Sequence, residues 1–223
     1  MLKNIKGAIF DLDGTLVNSL IFWDILWEHF GERFLNRKGF RPTKEEDKNV
    51  RTMTLKEAMD YVYSIYGFGS GGDELLDITF EMIEKFYTET VEVKDGVIEF
   101  LEHCKKSGIK MCIASATDKR LVKVAAEHCG ILKYFDKVFS CADIGKGKDK
   151  PDIFLKAMEY LGTTLEESCV FEDSLVAIDT AHKAGFKTVG IYDKYNYGQE
   201  EIKVISDVYI SDGETLCKLI QVE

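Results

Sequence analysis

The 223-residue chain is short of positive charge, of histidine and of long apolar runs. Its 29 lysines and arginines face 39 aspartates and glutamates, a formal net charge of -10. That balance argues against nucleic acid as a main partner, because such binders carry a basic footprint. No stretch approaches the ~20 apolar residues that a membrane span needs. The apolar run after Lys3 and Lys6 stops at Asp11, too soon for a signal peptide. Six cysteines (Cys104, Cys112, Cys129, Cys141, Cys169, Cys217) form no C-x-x-C pair and no tight cluster. They read as reduced, mostly buried thiols of a cytoplasmic protein. The four histidines (His29, His103, His128, His182) lie within helical patterns, and none is well placed as a general base.

What the chain does have is an ordinary globular composition, 45% hydrophobic and 30% charged, enough for a real core. Short apolar runs recur at residues 7–13, 109–115, 137–143, 168–173, 186–192 and 207–210. From residue 95 onward they alternate with helix-like stretches at 96–108, 118–130, 151–162 and 174–185. All four of these stretches end in glycine and one begins at Pro151, which matches helix stop and start chemistry. Such alternation predicts an α/β fold, a parallel sheet with helices on both faces. Residues 17–91 break the pattern. They hold helical periods at 21–35, 54–67 and 73–87 and no strand, so they read as an all-helical inserted domain, with 1–16 and 92–223 forming the α/β core. The run "GFGSGG" (67–72) matches G-x-G-x-x-G, but it follows a helix rather than a strand and reads as a flexible interhelical loop.

Ligands of open parallel sheets sit outside the carboxyl ends of the strands. The first run ends in Asp11 and Asp13, whose one-residue spacing puts both side chains on one face of an extended chain. The 109–115 run ends in Ser115, the 168–173 run in Glu172 and Asp173, and Lys146, Lys148 and Lys150 follow the third run. Four carboxylates on one edge need a cation. All-oxygen ligation without neighbouring His or Cys points to Mg²⁺.

With these four motifs in order ("DLDGTLVNS", the serine of "CIASAT", the lysine before Pro151, and "FED"), the sequence resembles the haloacid-dehalogenase-like hydrolase superfamily over essentially its whole length. The match is to the subgroup with a helical cap inserted after the first motif, which includes phosphoglycolate phosphatases and β-phosphoglucomutase-like proteins. The resemblance implies a doubly wound, Rossmann-like core and an aspartyl-phosphate mechanism. Asp11 matches the nucleophile, and Asp13 the acid that protonates the leaving oxygen and then activates water. Asp173 matches a side-chain Mg²⁺ ligand beside Asp11 and the carbonyl of Asp13, with Glu172 behind or through water. Ser115 matches the phosphoryl-binding hydroxyl, and Gly14, Thr15 and Ala116 fall where the family contacts substrate. The family's Lys-Pro-x-Pro-Asp pattern selects Lys148, although Asp149 replaces the first proline and Lys150 is the next choice.

The implied activity is a phosphatase acting on a small phosphorylated metabolite, from a monomer or weak dimer. Dehalogenases of the family lack an acid at the position of Asp13. Its mutases carry a histidine twelve residues after the nucleophile, where Trp23 stands here. A β-phosphoglucomutase-like reading is the nearest alternative. A phospho-receiver signalling or binding module is another, although such modules are half this size. Substrate choice should lie in the insertion. There Phe22, Trp23 and Trp27 read mainly as helix packing, and Arg51, in a stretch "NVRTMT" (49–54) expected to be a loop, is either a substrate contact or an ordinary surface arginine.

Overall fold

All six apolar runs fold as strands. The computed structural model describes residues 4–220. Its strands are β1 (Gly7–Phe10), β2 (Lys110–Ser115), β3 (Lys137–Ser140), β4 (Ser168–Glu172), β5 (Lys187–Ile191) and β6 (Val208–Ile210). They pair in parallel in the order β3-β2-β1-β4-β5-β6, the doubly wound arrangement. The chain order reverses at β1, so the crevice between the carboxyl ends of β1 and β4 is the place where such folds bind ligands.

In chain order, β1 is followed by α1 (Phe22–Leu35), α2 (Lys44–Thr52), α3 (Leu55–Tyr66) and α4 (Gly72–Glu89). Then α5 (Val97–Lys106) leads to β2, α6 (Lys119–His128) to β3, and α7 (Cys141–Ile144) with α8 (Asp152–Leu161) to β4. Helices α9 (Leu175–Lys183) and α10 (Gln199–Ile205) precede β5 and β6. The pleat sorts the strand residues onto two faces. Ile9, Ala114 and Val170 lie with Ile153, Phe154 and Ala157 of α8 and Ala177 and Ala181 of α9 in one buried cluster. The alternate residues Phe10 and Phe171 stack at 4.4 Å, with Phe100 of α5 edge-on to Phe10. Burial of each such large side chain is worth about 1.5–3 kcal/mol. All six cysteines are free thiols. No helix among the described residues is long and apolar enough to cross a membrane.

The chain divides into two units: residues up to Ser19 with those from Val91 on, and Leu20–Thr90. Residues 17–19 therefore lie with the sheet rather than with the insertion. The reason is local pairing. Val17 bridges Val93 antiparallel, the Asn18 amide donates to the Glu92 carbonyl (2.8 Å), and the Lys94 amide donates to that of Leu16 (2.9 Å).

Within the helical unit, α2 is the element that hydrophobic periodicity does not reveal. It runs through residues 49–52, so most of the expected "NVRTMT" loop is helix, and only Met53 and Thr54 separate α2 from α3. The helix has one fully buried apolar residue, Val50, and is held instead by polar contacts. Thr43 and Glu46 form a capping box, and the Trp27 indole donates to Asp47 at 2.9 Å. The Gly-rich loop is interhelical as expected, yet it is pinned rather than loose. Phe68 is buried, stacked on Tyr66 (5.0 Å) and Phe34 (5.3 Å), and the Ser70 amide donates to Glu74. Phe68→Ala should therefore remove about 3–5 kcal/mol from the helical unit, the usual cost of an aromatic cavity. Urea unfolding followed by tryptophan fluorescence measures this, since Trp27 sits in the same cluster; an unchanged midpoint would contradict the packing account.

Candidate active site

The candidate site follows from strand register. Phe10 of β1 pairs with Phe171 of β4, and the Asp11 amide donates to the Phe171 carbonyl at 3.0 Å. Asp11 thereby stands beside Glu172 and Asp173 where both strands end. By alternation, Asp11 keeps the face of Ile9 and Glu172 that of Val170, the face covered by α8. The loop between α7 and α8 delivers Lys148 to that face.

Lys148 donates to Asp11 Oδ1 at 2.5 Å and, in a second short contact, to Glu172 Oε1. Its rivals go elsewhere: Lys146 pairs with Asp152 and Lys150 with its neighbour Asp149, both lysines exposed. The geometry thus separates Lys148 from Lys150, which the spacing alone left close. Glu172 Oε2 also accepts from the Ser174 amide (3.2 Å). Asp173 Oδ1 accepts from the Thr15 hydroxyl (3.2 Å). Asp13 Oδ2 accepts from the Thr117 hydroxyl (2.8 Å), and the Thr117 amide donates to Ser115 Oγ (3.0 Å). Gly14 makes the turn at φ 73°, a left-handed conformation that lets Thr15 point back to Asp173. Ala116 is exposed between Ser115 and Thr117.

Arg51 belongs to the helical unit, where its Nε donates to Asp47 (2.7 Å) and its guanidinium lies over the Trp23 ring at 5.7 Å. Its guanidinium is thus engaged by that unit's own groups.

Asp11, Glu172 and Asp173 are all buried and offer carboxylate oxygens within 4.8 Å of one another. Three negative charges meet one positive charge from Lys148, which leaves a deficit of two. Hard oxygen donors, no sulfur or imidazole in the set, and a deficit of two fit a divalent cation such as Mg²⁺. The titration behaviour reflects the crowding. Burial pushes Asp11 well above the usual carboxylate range; Lys148 pulls it back, while Glu172, Asp173 and Asp13 push it further. Asp173 is pushed up to about 7, by burial first and then by Glu172, with Lys94 acting against them. Burial works against the charge on Lys148, but Asp11 and Glu172 outweigh it and hold the ammonium above its ordinary value.

Several residues at this edge escaped the sequence reading. Asn196 donates from Nδ2 to Asp173 Oδ2 (2.7 Å) and to its carbonyl (2.9 Å). Buried Asp193 pairs with Lys94 at 2.8 Å. Thr117 bridges Asp13 and Ser115. Asp193 carried a signal, because it directly follows the 186–192 run and obeys the same strand-end rule as the others. Asn196 and Lys94 had none.

The family model described as haloacid dehalogenase-like hydrolase matches residues 8–191. A "phosphorylated carbohydrates phosphatase" of Thermotoga maritima is 23% identical over 218 residues, 97% of this chain and 99% of the relative. A "putative pyrophosphatase" of Caldanaerobacter subterraneus is 27% identical over 227 residues, 97% of this chain and 95% of the relative. The crystal structure of a putative β-phosphoglucomutase from Thermotoga maritima superimposes with a TM-score of 0.81 at 22% identity, covering 98% of this chain and all of that one.

The carboxylate crowding predicts how metal-free stability depends on pH. Asp173 titrates near 7 when folded against 3.8 as its ordinary value. Between those pH values the folded state binds more protons, so stability falls as pH rises through that window. In excess chelator the melting temperature should drop from pH 5.5 to 7.5, and Asp173→Asn should make the slope shallower. An unchanged slope in Asp173→Asn would place the pH dependence elsewhere.

Proposed function

The chain belongs to the haloacid dehalogenase-like hydrolase family, and we propose that it is a Mg²⁺-dependent phosphatase that hydrolyses a small phosphorylated metabolite through an aspartyl-phosphate. The observation that carries this reading is the pair at the end of β1: buried Asp11 against Lys148, and Asp13 two residues on against Thr117. Asp11 attacks phosphorus through a carboxylate oxygen, and the alcohol leaves with a proton from Asp13. Asp13 then takes a proton from water as that water attacks the aspartyl-phosphate, which frees phosphate and restores Asp11. Lys148 keeps Asp11 oriented and offers positive charge to the phosphoryl oxygens. Ser115, with Gly14, Thr15 and Ala116, lines the phosphoryl site. Asp11, Asp173 and the Asp13 carbonyl would hold Mg²⁺, with Glu172 close by, and the ion would neutralise charge on the transferring group.

The helical unit Leu20–Thr90 is the proposed cap that selects substrate, and Arg51 holds α2 against the start of α1 there. The name of the Thermotoga phosphatase makes phosphorylated carbohydrates the first class to try. A mutase reading is disfavoured by Trp23. Its indole has one donor, is covered by the Arg51 guanidinium, and cannot shuttle a proton.

Hydrolysis of an aryl phosphate tests the class. Turnover should vanish in chelator and return with Mg²⁺, Ca²⁺ should inhibit, and Asp11→Asn should lose on the order of 10³-fold or more while staying folded. Full activity in chelator, or near-normal kinetics in Asp11→Asn, would rule the mechanism out. Incubation with β-glucose 1-phosphate and a trace of the 1,6-bisphosphate tests the mutase alternative. Free phosphate should be the main product; efficient glucose 6-phosphate formation without phosphate release would reverse the assignment.

A further inference from the structure

The loop after β5 makes a set of contacts that hydrolysis as described does not use. Its residue Asn196 places one side-chain amide between two acceptors of the same residue, Asp173 Oδ2 at 2.7 Å and the Asp173 carbonyl at 2.9 Å. A carboxylate at a strand end can rotate about its side-chain torsions. Gripping both its backbone and one oxygen removes that freedom. On the other oxygen, Thr15 closes the remaining arc. The donors on Asp173 therefore come from two loops, one after β1 and one after β5.

The β5 loop is itself anchored. Asp193 accepts from the Tyr195 amide (2.9 Å) at Oδ1 and pairs with Lys94 (2.8 Å) at Oδ2. The Asp193 carbonyl accepts from the Asn196 amide (3.0 Å) and from Gln199 Nε2 (3.2 Å). Lys94 also donates to the Tyr192 carbonyl at 3.1 Å. Both partners of the ion pair are well shielded, with side-chain exposures of 16% for Lys94 and 6% for Asp193. Lys94 belongs to the two-stranded clasp 16–18/92–94, which begins three residues after Asp13. An isolated surface pair would contribute little, but this one fixes a loop whose single amide reaches the metal-binding carboxylate.

We propose that Asn196 is a positioning residue for the metal ligand Asp173, and that the Lys94–Asp193 pair holds the loop that presents it. This rests on the reading of Asp173 as a Mg²⁺ ligand. Partners that orient a metal ligand typically account for 10–100-fold in affinity or activity. Asn196 acts through Asp173, to which its side-chain amide donates at both the carboxylate and the carbonyl.

The test is Mg²⁺ binding to the substrate-free protein by isothermal titration calorimetry, with the Mg²⁺ dependence of aryl phosphate hydrolysis beside it. Asn196→Ala should weaken Mg²⁺ binding by about 10–100-fold, and the apparent Mg²⁺ constant in turnover should rise by more than kcat falls. Lys94→Met should weaken binding in the same direction, and Lys94→Arg, which retains the ion pair, should recover most of it. A folded Asn196→Ala that binds Mg²⁺ within about twofold of the parent protein overturns the proposal. Should Asn196→Ala not fold, equal Mg²⁺ affinity in Lys94→Met and Lys94→Arg overturns it instead. Absence of Mg²⁺ binding by the parent protein is a different result: it removes the phosphatase reading on which the proposal stands.

Discussion

Three buried carboxylates meet where β1 and β4 end, and the contact of Lys148 with two of them makes that meeting possible in a folded protein. Two unit charges 4.8 Å apart repel by about 3 kcal/mol at an effective dielectric near 20. Three such pairs, each group also stripped of water, would oppose folding strongly without compensation. Lys148 answers one charge. Burial then shifts Asp11 and Asp173 toward their protonated forms, which is how a protein lowers a charge it has not paired. Protonation thus offsets part of the negative charge that Lys148 alone does not balance.

That constraint explains where the groups come from. The parallel sheet presents its strand ends together at one edge, but each strand ends with only one or two residues before the chain turns away. Lys148 arrives from the loop after β3, Thr117 from the loop after β2, Thr15 from the turn after β1, and Asn196 from the loop after β5. Each partner of a carboxylate is thus delivered by a different crossover, while the sheet fixes the carboxylates themselves. Rigid strands hold the charges that must not move apart. Loops supply the donors whose exact reach depends on anchors such as Lys94–Asp193.

The strands and the acidic edge were legible because both follow from local rules: apolar runs ending in carboxylates, in an α/β alternation. Asp11, Asp13, Glu172 and Asp173 fall at one edge on that basis alone. Spacing from Pro151 reached Lys148, yet only the ion pair with Asp11 separates it from Lys150. Helix α2 was illegible to hydrophobic periodicity because its stability is polar, although the threonine and glutamate of its capping box, Thr43 and Glu46, were there to be read. Asn196 belongs to another category. It lies 23 residues from Asp173 in a tyrosine-rich loop, and nothing in its neighbourhood marks an amide that must reach back across the sheet. Long-range hydrogen bonds of this kind are fixed by loop geometry, which composition does not encode.

The clasp at residues 16–18 and 92–94 bears on how the insertion coexists with the site. Insertions in loops cost little beyond closure entropy, and that cost grows slowly with length. The danger is to the geometry of what precedes them, and here the insertion starts seven residues after Asp13. The Val17–Val93 bridge with its two flanking hydrogen bonds closes the sheet-bearing unit on itself before the chain departs. Asp11 and Asp13 are therefore held by contacts inside their own unit, to Lys148 and Thr117. Because Lys94 sits on the returning strand of the clasp and pairs with Asp193, the same closure reaches the loop that holds Asp173. The insertion is free to diverge in sequence, while the clasp keeps the chain around Asp11 and Asp13 in register with the sheet.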